Sequence, residues 1–203
     1  MGIPVLIMGE SGSGKSASLR NFDPAEVGIY NVAGKPFPFR KKLTALKTDD
    51  YNKIMSSLKK GTFKTYVIDD SQYLMAFESF RMANVTGYGK FTNMAVNFKN
   101  LVSFVADSLP DDTIVYFLHH VETTETGKIK AKTIGKMLDS QITLEGLFSI
   151  VLLCVATSEG HRFITNSDGT NTAKSPMEMF PAEIDNDLKA VDTAIREYYD
   201  MKG

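Results

Sequence analysis

"LIMGESGSGKSAS", residues 6–18, decides how this 203-residue chain is read. Leu6, Ile7 and Met8 close an apolar run that begins at Ile3, the pattern of a short strand buried on both faces. The run breaks into glycines and serines and ends in Lys15 and Ser16. Gly9-Glu10-Ser11-Gly12-Ser13-Gly14-Lys15-Ser16 matches G-x-x-x-x-G-K-[ST] without a mismatch. The glycines let the main chain curl tightly enough for successive N–H groups to point inward at phosphate oxygens. A helix predicted over Lys15–Asn21 would aim its positive end at the same place. Gly9, Glu10, Ser11, Gly12, Ser13, Gly14, Lys15, Ser16 and Ala17 are therefore the expected cradle of a polyphosphate. Lys15 would reach the β- and γ-phosphates, and the Ser16 hydroxyl would ligate Mg²⁺. The chain has no N-K-x-D guanine pattern, so ATP with Mg²⁺ is the expected ligand.

Outward from this loop, strands and helices alternate. "VGIYNV" (27–32), "TYVIDD" (65–70), "TIVYFLHH" (113–120) and "FSIVLLCVA" (148–156) read as strands, and "HRFITN" (161–166) as a short sixth paired with the last of these. Helical spacing marks residues 50–60, 72–83, 93–108, 136–147 and 187–199. "AGKPFPFRKKL" (33–43) reads as a basic, proline-bearing loop near a groove, and "ETTETGKIKAK" (122–132) as a hairpin or a mobile loop. This is an α/β pattern: a mainly parallel sheet with helices on both faces, in a single domain over 1–203. Cys154, the one cysteine, lies in "IVLLCVA" and reads as a core hydrophobe. No run approaches the ~20 apolar residues that span a bilayer, and "MGIPVLIMG" passes at once into a strand without a basic leader. A cytoplasmic chain is the expectation.

A phosphate loop needs a second acid for the metal, normally at the end of another apolar strand. Asp69 fills that place and would hold Mg²⁺ through water, beside the directly ligating Ser16 hydroxyl. Asp70 has two readings, a carboxylate that polarises the attacking water or a cap on the helix that follows. His119 and His120 end the fourth strand, where open α/β sheets put ligands. Alternation sends them to opposite faces; His119 follows the inward pattern of Val115 and Phe117, which leaves His120 to sense the terminal phosphate.

"MGESGSGKS", "YVIDDSQYL", "VYFLHHVE" and "FITNSDGTNTAKSP", in this order, resemble the RecA/RadA-like core ATPases encoded by bacteriophages. Some members of that group are single-strand annealing recombination proteins. The resemblance spans nearly the whole chain, and only the first segment is highly specific. It implies a RecA-like sheet, a P-loop NTPase fold, hydrolysis of ATP, a homo-oligomer with ATP at the subunit edge, and a host-cytoplasmic setting. It also implies that Lys174, in "NTAKSP", is a cation offered to a neighbour's phosphates. Such enzymes usually carry an activating glutamate after the second strand, where this chain has Asn31 and Ala33. Asp70 or Glu10 would have to substitute, or nucleotide would act mainly as a conformational ligand.

Single-stranded DNA is the partner that the basic segments suggest. "GYGKF" offers Tyr88 and Phe91 for base stacking beside Lys90, and "GKIKAKTIGK" offers Lys128, Lys130, Lys132 and Lys136 for phosphates. "FRKKL" (39–43) is a weaker third segment. A net charge of -1 argues against a uniformly basic DNA-coating body. Two other function classes fit the phosphate loop. One is a small-molecule or nucleotide kinase, which the five scattered arginines argue against. The other is a non-hydrolysing, nucleotide-gated scaffold.

Overall fold

Apolar runs rich in branched residues suit strands covered on both faces, and β1 (Ile3–Gly9) is the central one. Val5, Leu6, Ile7 and Met8 are all fully buried. Alternation along β1 feeds two cores. Leu6 and Met8 pack with Ile68, Phe117 and Val151 on one face, and Val5 and Ile7 with Val67, Tyr116 and Leu152 on the other. The computed structural model describes residues 1–87, 89–134 and 143–201.

Eight further strands complete a nine-stranded sheet: β2 (Val27–Asn31), β3 (Ala45–Lys47), β4 (Thr65–Asp69), β5 (Ile114–Thr123), β6 (Ile129–Ala131), β7 (Ile150–Thr157), β8 (Gly160–Ile164) and β9 (Glu183–Asp185). The order across it is β3-β2-β4-β5-β1-β7-β8-β9, with β6 paired to β5. From β3 to β7 every pairing is parallel; β8, β9 and β6 add antiparallel edges. α1 (Tyr51–Lys59), α2 (Gln72–Arg81) and α3 (Gly89–Ser108) cover the first core through residues such as Leu58, Met75 and Phe98. α4 (Leu188–Tyr198) covers the second with Leu188, Val191 and Ile195. The fold is thus mixed α/β, a mostly parallel sheet flanked by helices on both faces. Asp50 and Asp187 cap α1 and α4 by accepting from two backbone N–H groups each, contacts worth about 1 kcal/mol apiece.

One consequence of the strand order governs the site. β5 lies between β1 and β4, with Gly9 opposite His120 and Ile68 opposite Phe117. β1 ends at Gly9 and β4 at Asp69, and β5 carries His120 beside Gly9 where its parallel pairing stops. The strand does not end at the histidines, where the sequence places its end, but runs on to Thr123 to pair with β6.

The segment after the glycine loop departs from the sequence expectation. Ser16–Asn21 is a 3-10 turn, and Phe22 leaves it in extended geometry. Ser18 explains part of this: its hydroxyl bonds to Lys15 O at 2.6 Å, a local alternative to helical bonding. Phe22, only 2% exposed, is drawn into the second core, and Pro24 follows two residues later. The six-residue turn that follows the loop is not the predicted α-helix with its positive end at the phosphates.

Smaller differences have local causes. β3 and β9 are three residues each, too short to show a period. α3 begins at Gly89, four residues before the predicted start. Of the two readings of residues 122–132, the structure has the hairpin, β5 against β6. The helix expected over 136–147 falls largely on residues 135–142, outside the described residues; Leu144–Leu147 is a 3-10 turn.

Candidate functional site

The loop after β1 closes around a lysine. Lys15 Nζ donates to Gly9 O at 2.8 Å and to Glu10 O at 2.7 Å, which leaves one of its three hydrogens. Burial lowers its pKa, while the carboxylates of Asp70 and Asp69 act in the opposite direction. Gly12 and Gly14 have φ of +80° and +102°, the left-handed region open to glycine. A methyl at Gly14 would also meet the His161 ring at 2.5 Å, whereas beside Gly12 the space is open. Ser11, Gly12, Gly14, Lys15, Ser16 and Ala17 line a cleft of about 280 Å³, opposite Lys35, Asp69, Asp70 and His120. Gly9 and Ser13 lie behind this lining, and Glu10 is exposed.

Ser16 and Asp69 meet in this cleft, Ser16 Oγ donating to Asp69 Oδ1 at 2.8 Å. Burial pushes the Asp69 carboxyl up to about 6, with the Ser16 hydrogen bond and Lys15 opposing. A buried carboxylate whose charge is this poorly compensated, next to a hydroxyl, is a donor set that a hard divalent cation suits. Among the described residues no group of three or more His, Cys, Asp or Glu side chains would hold a metal alone. Mg²⁺ fits such a two-donor site because it takes one or two protein oxygens and completes its shell with phosphate and water.

Asp70 follows at the strand end in a left-handed conformation, φ 60°, a geometry of modest cost that aspartate tolerates better than most residues. This turn sends its carboxylate into the cleft. Oδ1 faces His120 Nε2 at 3.2 Å and Oδ2 accepts from Lys35 Nζ at 2.8 Å. Burial would raise the Asp70 pKa, but the hydrogen bonds from His120 and Lys35 outweigh it and hold the carboxyl low. The side chain is spent on these two partners, and α2 starts without a side-chain cap bond at Ser71. Asn31, which stands where an acid would be expected, is buried and engaged at both ends of its amide: its nitrogen donates to Lys35 O at 2.6 Å and its oxygen accepts from Gly34 N at 2.7 Å.

His119 points the other way, into the first core beside Phe98, and is fully buried. Its Nε2 lies 2.8 Å from Lys132 O and its Nδ1 2.9 Å from Ser71 Oγ. A carbonyl only accepts, so Nε2 carries the hydrogen, and the lone pair of Nδ1 faces the Ser71 hydroxyl, which also lies 3.0 Å from Leu118 O. Burial holds its pKa down to about 4, against an ordinary 6.5. Between those values the unfolded chain binds a proton that the native ring refuses. The stability contributed by the neutral ring is complete above pH 6.5 and is lost as pH falls toward 4, by roughly 3 kcal/mol. Urea unfolding at pH 7, 5.5 and 4.5 should show this loss in the parent chain and a smaller one in His119→Gln. Equal slopes would remove His119 as the cause.

The loop is braced from behind by residues that the motif does not contain. Cys154 Sγ donates to Ser13 O at 3.0 Å, and burial keeps it a thiol by raising its pKa to about 11. Asn186 Nδ2 reaches Gly14 O at 3.3 Å and Cys154 Sγ at 3.2 Å. Arg20 donates to Asn186 O at 2.5 Å.

The remaining sequence candidates lie outside the cleft lining. Lys174 is exposed, and its backbone bridges Val151 on β7. Lys90 lies over the Phe91 ring at 5.4 Å and reaches Met82 O at 3.4 Å; Tyr88 and Lys136 fall outside the described residues. Lys130 pairs with Glu122 across the hairpin at 3.0 Å, while Lys128 and Lys132 are exposed. Lys132 N donates to His120 O at 2.8 Å, so the hairpin is tied to both histidines. In the "FRKKL" segment Phe39 stacks on Phe37 and packs against the second core.

Lys35 and His161 were not singled out in the sequence. Lys35 follows β2 and so belongs to the same carboxyl edge as the recognised residues, a placement that strand order alone implies. His161 reaches Gly14 only because β8 folds back on β7. A larger open groove, about 760 Å³, lies at the amino edge and includes Asp111, Asp112 and Asp200; these acids suit it poorly to phosphate.

No protein-family model and no curated protein matches the chain. A solved structure, the P4 protein from bacteriophage phi13, is similar to it at a TM-score of 0.43 and 13% identity, over 80% of this chain. The chain spans 58% of that protein's length.

Proposed function

We propose that this chain is a magnesium-dependent, RecA-like phage ATPase that acts on single-stranded DNA in recombination or replication. The convergence of Lys15, the Ser16–Asp69 pair, Asp70 and His120 on one cleft carries the reading. In it the amides of the Gly9–Ser16 loop and Lys15 hold the phosphates; Ser16 and Asp69 would hold Mg²⁺, which when bound would supply charge withdrawal from the phosphate oxygens. Asp70 orients and polarises the attacking water, and His120 holds Asp70 and senses the terminal phosphate. The cleft volume, just under the usual range for a small-molecule pocket, supports a nucleotide base that projects toward a neighbouring subunit. Lys174 would come to the phosphates from that neighbour.

DNA contact is assigned to the β5–β6 hairpin, with Lys128, Lys130 and Lys132 on phosphates, and to Tyr88, Lys90 and Phe91 as a second segment. The bonds from Lys132 to His119 and His120 support communication between hairpin and cleft. Lys128→Glu/Lys132→Glu is expected to weaken single-stranded DNA binding at low salt by roughly tenfold or more, with nucleotide affinity unchanged. Fluorescence anisotropy and calorimetry read the two quantities separately.

Phosphate release with and without single-stranded DNA tests the whole reading. Stimulation by DNA supports it, and no DNA binding at low salt removes the DNA half. A second reading, a nucleotide-gated scaffold that does not hydrolyse, draws support from Asp70 having both oxygens occupied and from Asn31 standing where an acid was sought. Tight triphosphate binding without phosphate release would favour it. Transfer of labelled phosphate to a nucleoside or sugar would instead mark a kinase.

A further inference from the structure

Lys35 stands out once the cleft is assembled. Its ammonium pairs with Asp70 Oδ2 at 2.8 Å and lies over the Tyr73 ring at 4.9 Å. The loop that carries it is firmly built. Asn31 grips it on both sides of the bend, through Lys35 O and Gly34 N. Gly34 supplies the left-handed bend at φ +67°, a substituent there would run into the Lys47 side chain, and Pro36 follows. Val32 N donates to Asp69 O at 3.2 Å, which ties the start of the loop to the strand bearing the two acids.

Stability is a weak reason for this arrangement. The Lys35 side chain is 56% exposed, and ion pairs of that kind contribute little to folding. Position is the stronger reason. Lys35 lines the same cleft as Lys15, Ser16, Asp69, Asp70 and His120. Its long, flexible stem lets the charge move without moving the gripped backbone. A triphosphate with one divalent cation brings more negative charge into the cleft than the metal cancels, and most of the excess sits on the terminal phosphate.

We propose that Lys35 is a terminal-phosphate-responsive cation supplied by the same chain: it leaves Asp70 for the γ-phosphate and so uncovers Asp70 Oδ2. This rests on the nucleotide-binding reading above and deepens it. In the diphosphate complex Lys35 stays on Asp70, and the carboxylate remains covered. With a triphosphate the same charge binds the terminal group, and the freed oxygen accepts from water, while His120 still holds Oδ1. The chain thus carries its own discrimination between triphosphate and diphosphate, separate from any cation that a neighbour provides.

The test is calorimetric titration of Mg-ADP and of a magnesium complex of a non-hydrolysable ATP analogue, into the parent chain, Lys35→Met and Lys35→Arg. The Lys35→Met change should cut the preference for triphosphate over diphosphate roughly tenfold, a charge-assisted contact's worth, with ADP affinity within about twofold of the parent. Lys35→Arg, which keeps the cation, should restore most of the preference. An unchanged preference in Lys35→Met overturns the inference, as does an equal fall for both nucleotides, since Lys35 would then only maintain the cleft. A parent chain that binds neither nucleotide overturns the nucleotide-binding reading itself, and that result is distinct from the other two. Thermal melts of each variant confirm that the fold is kept.

Discussion

Lys15→Ala is expected to lower single-turnover phosphate release by roughly 10²–10³-fold, the usual cost of removing a positioned group that stabilises developing charge. Lys15 is only 6% exposed and is already aimed by Gly9 O and Glu10 O, so its charge acts in a poorly solvated place where it counts for more than in water. The truncation removes that charge and also leaves two loop carbonyls without their donor. Triphosphate affinity should therefore fall with the rate. Calorimetry alongside quenched-flow phosphate release separates the two losses, and circular dichroism shows whether the sheet survives. A variant that hydrolyses at the parent rate would mean that the loop does not hold the reacting phosphate, and the reading of the cleft would have to be given up.

Phe117→Ala is expected to cost about 3–5 kcal/mol of stability, a large part of the ~5–15 kcal/mol typical of a domain. Phe117 is fully buried on β5, in the middle of the parallel sheet. Its ring packs against Phe98 of α3 at 6.0 Å and Phe148 at 5.4 Å, both tilted toward edge contact. No neighbour can fill the space without pulling a strand or α3 out of place, so most of the cavity stays. Urea unfolding measures the loss, and Phe117→Leu, which keeps much of the volume, should cost about 1–2 kcal/mol. A loss below about 1 kcal/mol for the alanine variant would show that this layer collapses freely, against the packing described. Since His120 is three residues further along β5, the alanine variant should also blur the cleft.

β1, β2, β4, β5 and β7 were legible because each is a largely apolar run, whereas β3, also parallel, is three residues long and showed no pattern. Asp69, Asp70 and His120 were legible because they close such runs. Gly9–Ser16 could be read as a tight loop closed by Lys15 because the spacing of its glycines and lysine fixes that curl. What escaped the sequence depends on contacts between distant segments. Nothing local to Lys35 reveals that Asn31 turns the chain back toward Asp70. Nothing local to His161, Asn186 or Cys154 reveals that they pack on or bond to the glycine loop. The 3-10 turn at Ser16–Asn21 escaped for a different reason. Its composition permits a helix, and the pull of Phe22 into the core ends it. Asp70 shows the limit of motif reading, since a helix cap and a cleft-facing carboxylate look alike until the left-handed turn is seen.

The brace behind the loop sets an order of events at the ribosome. Gly14 is made early, yet Asn186, which holds its carbonyl and is in turn held by Arg20, is made about 170 residues later. At roughly 5–20 residues per second, the nascent chain carries an unfastened glycine segment for about 10–30 s. Nucleotide would find no finished grip until Asn186 is made, and the tightening of that grip reports that the segment leading into α4 has docked.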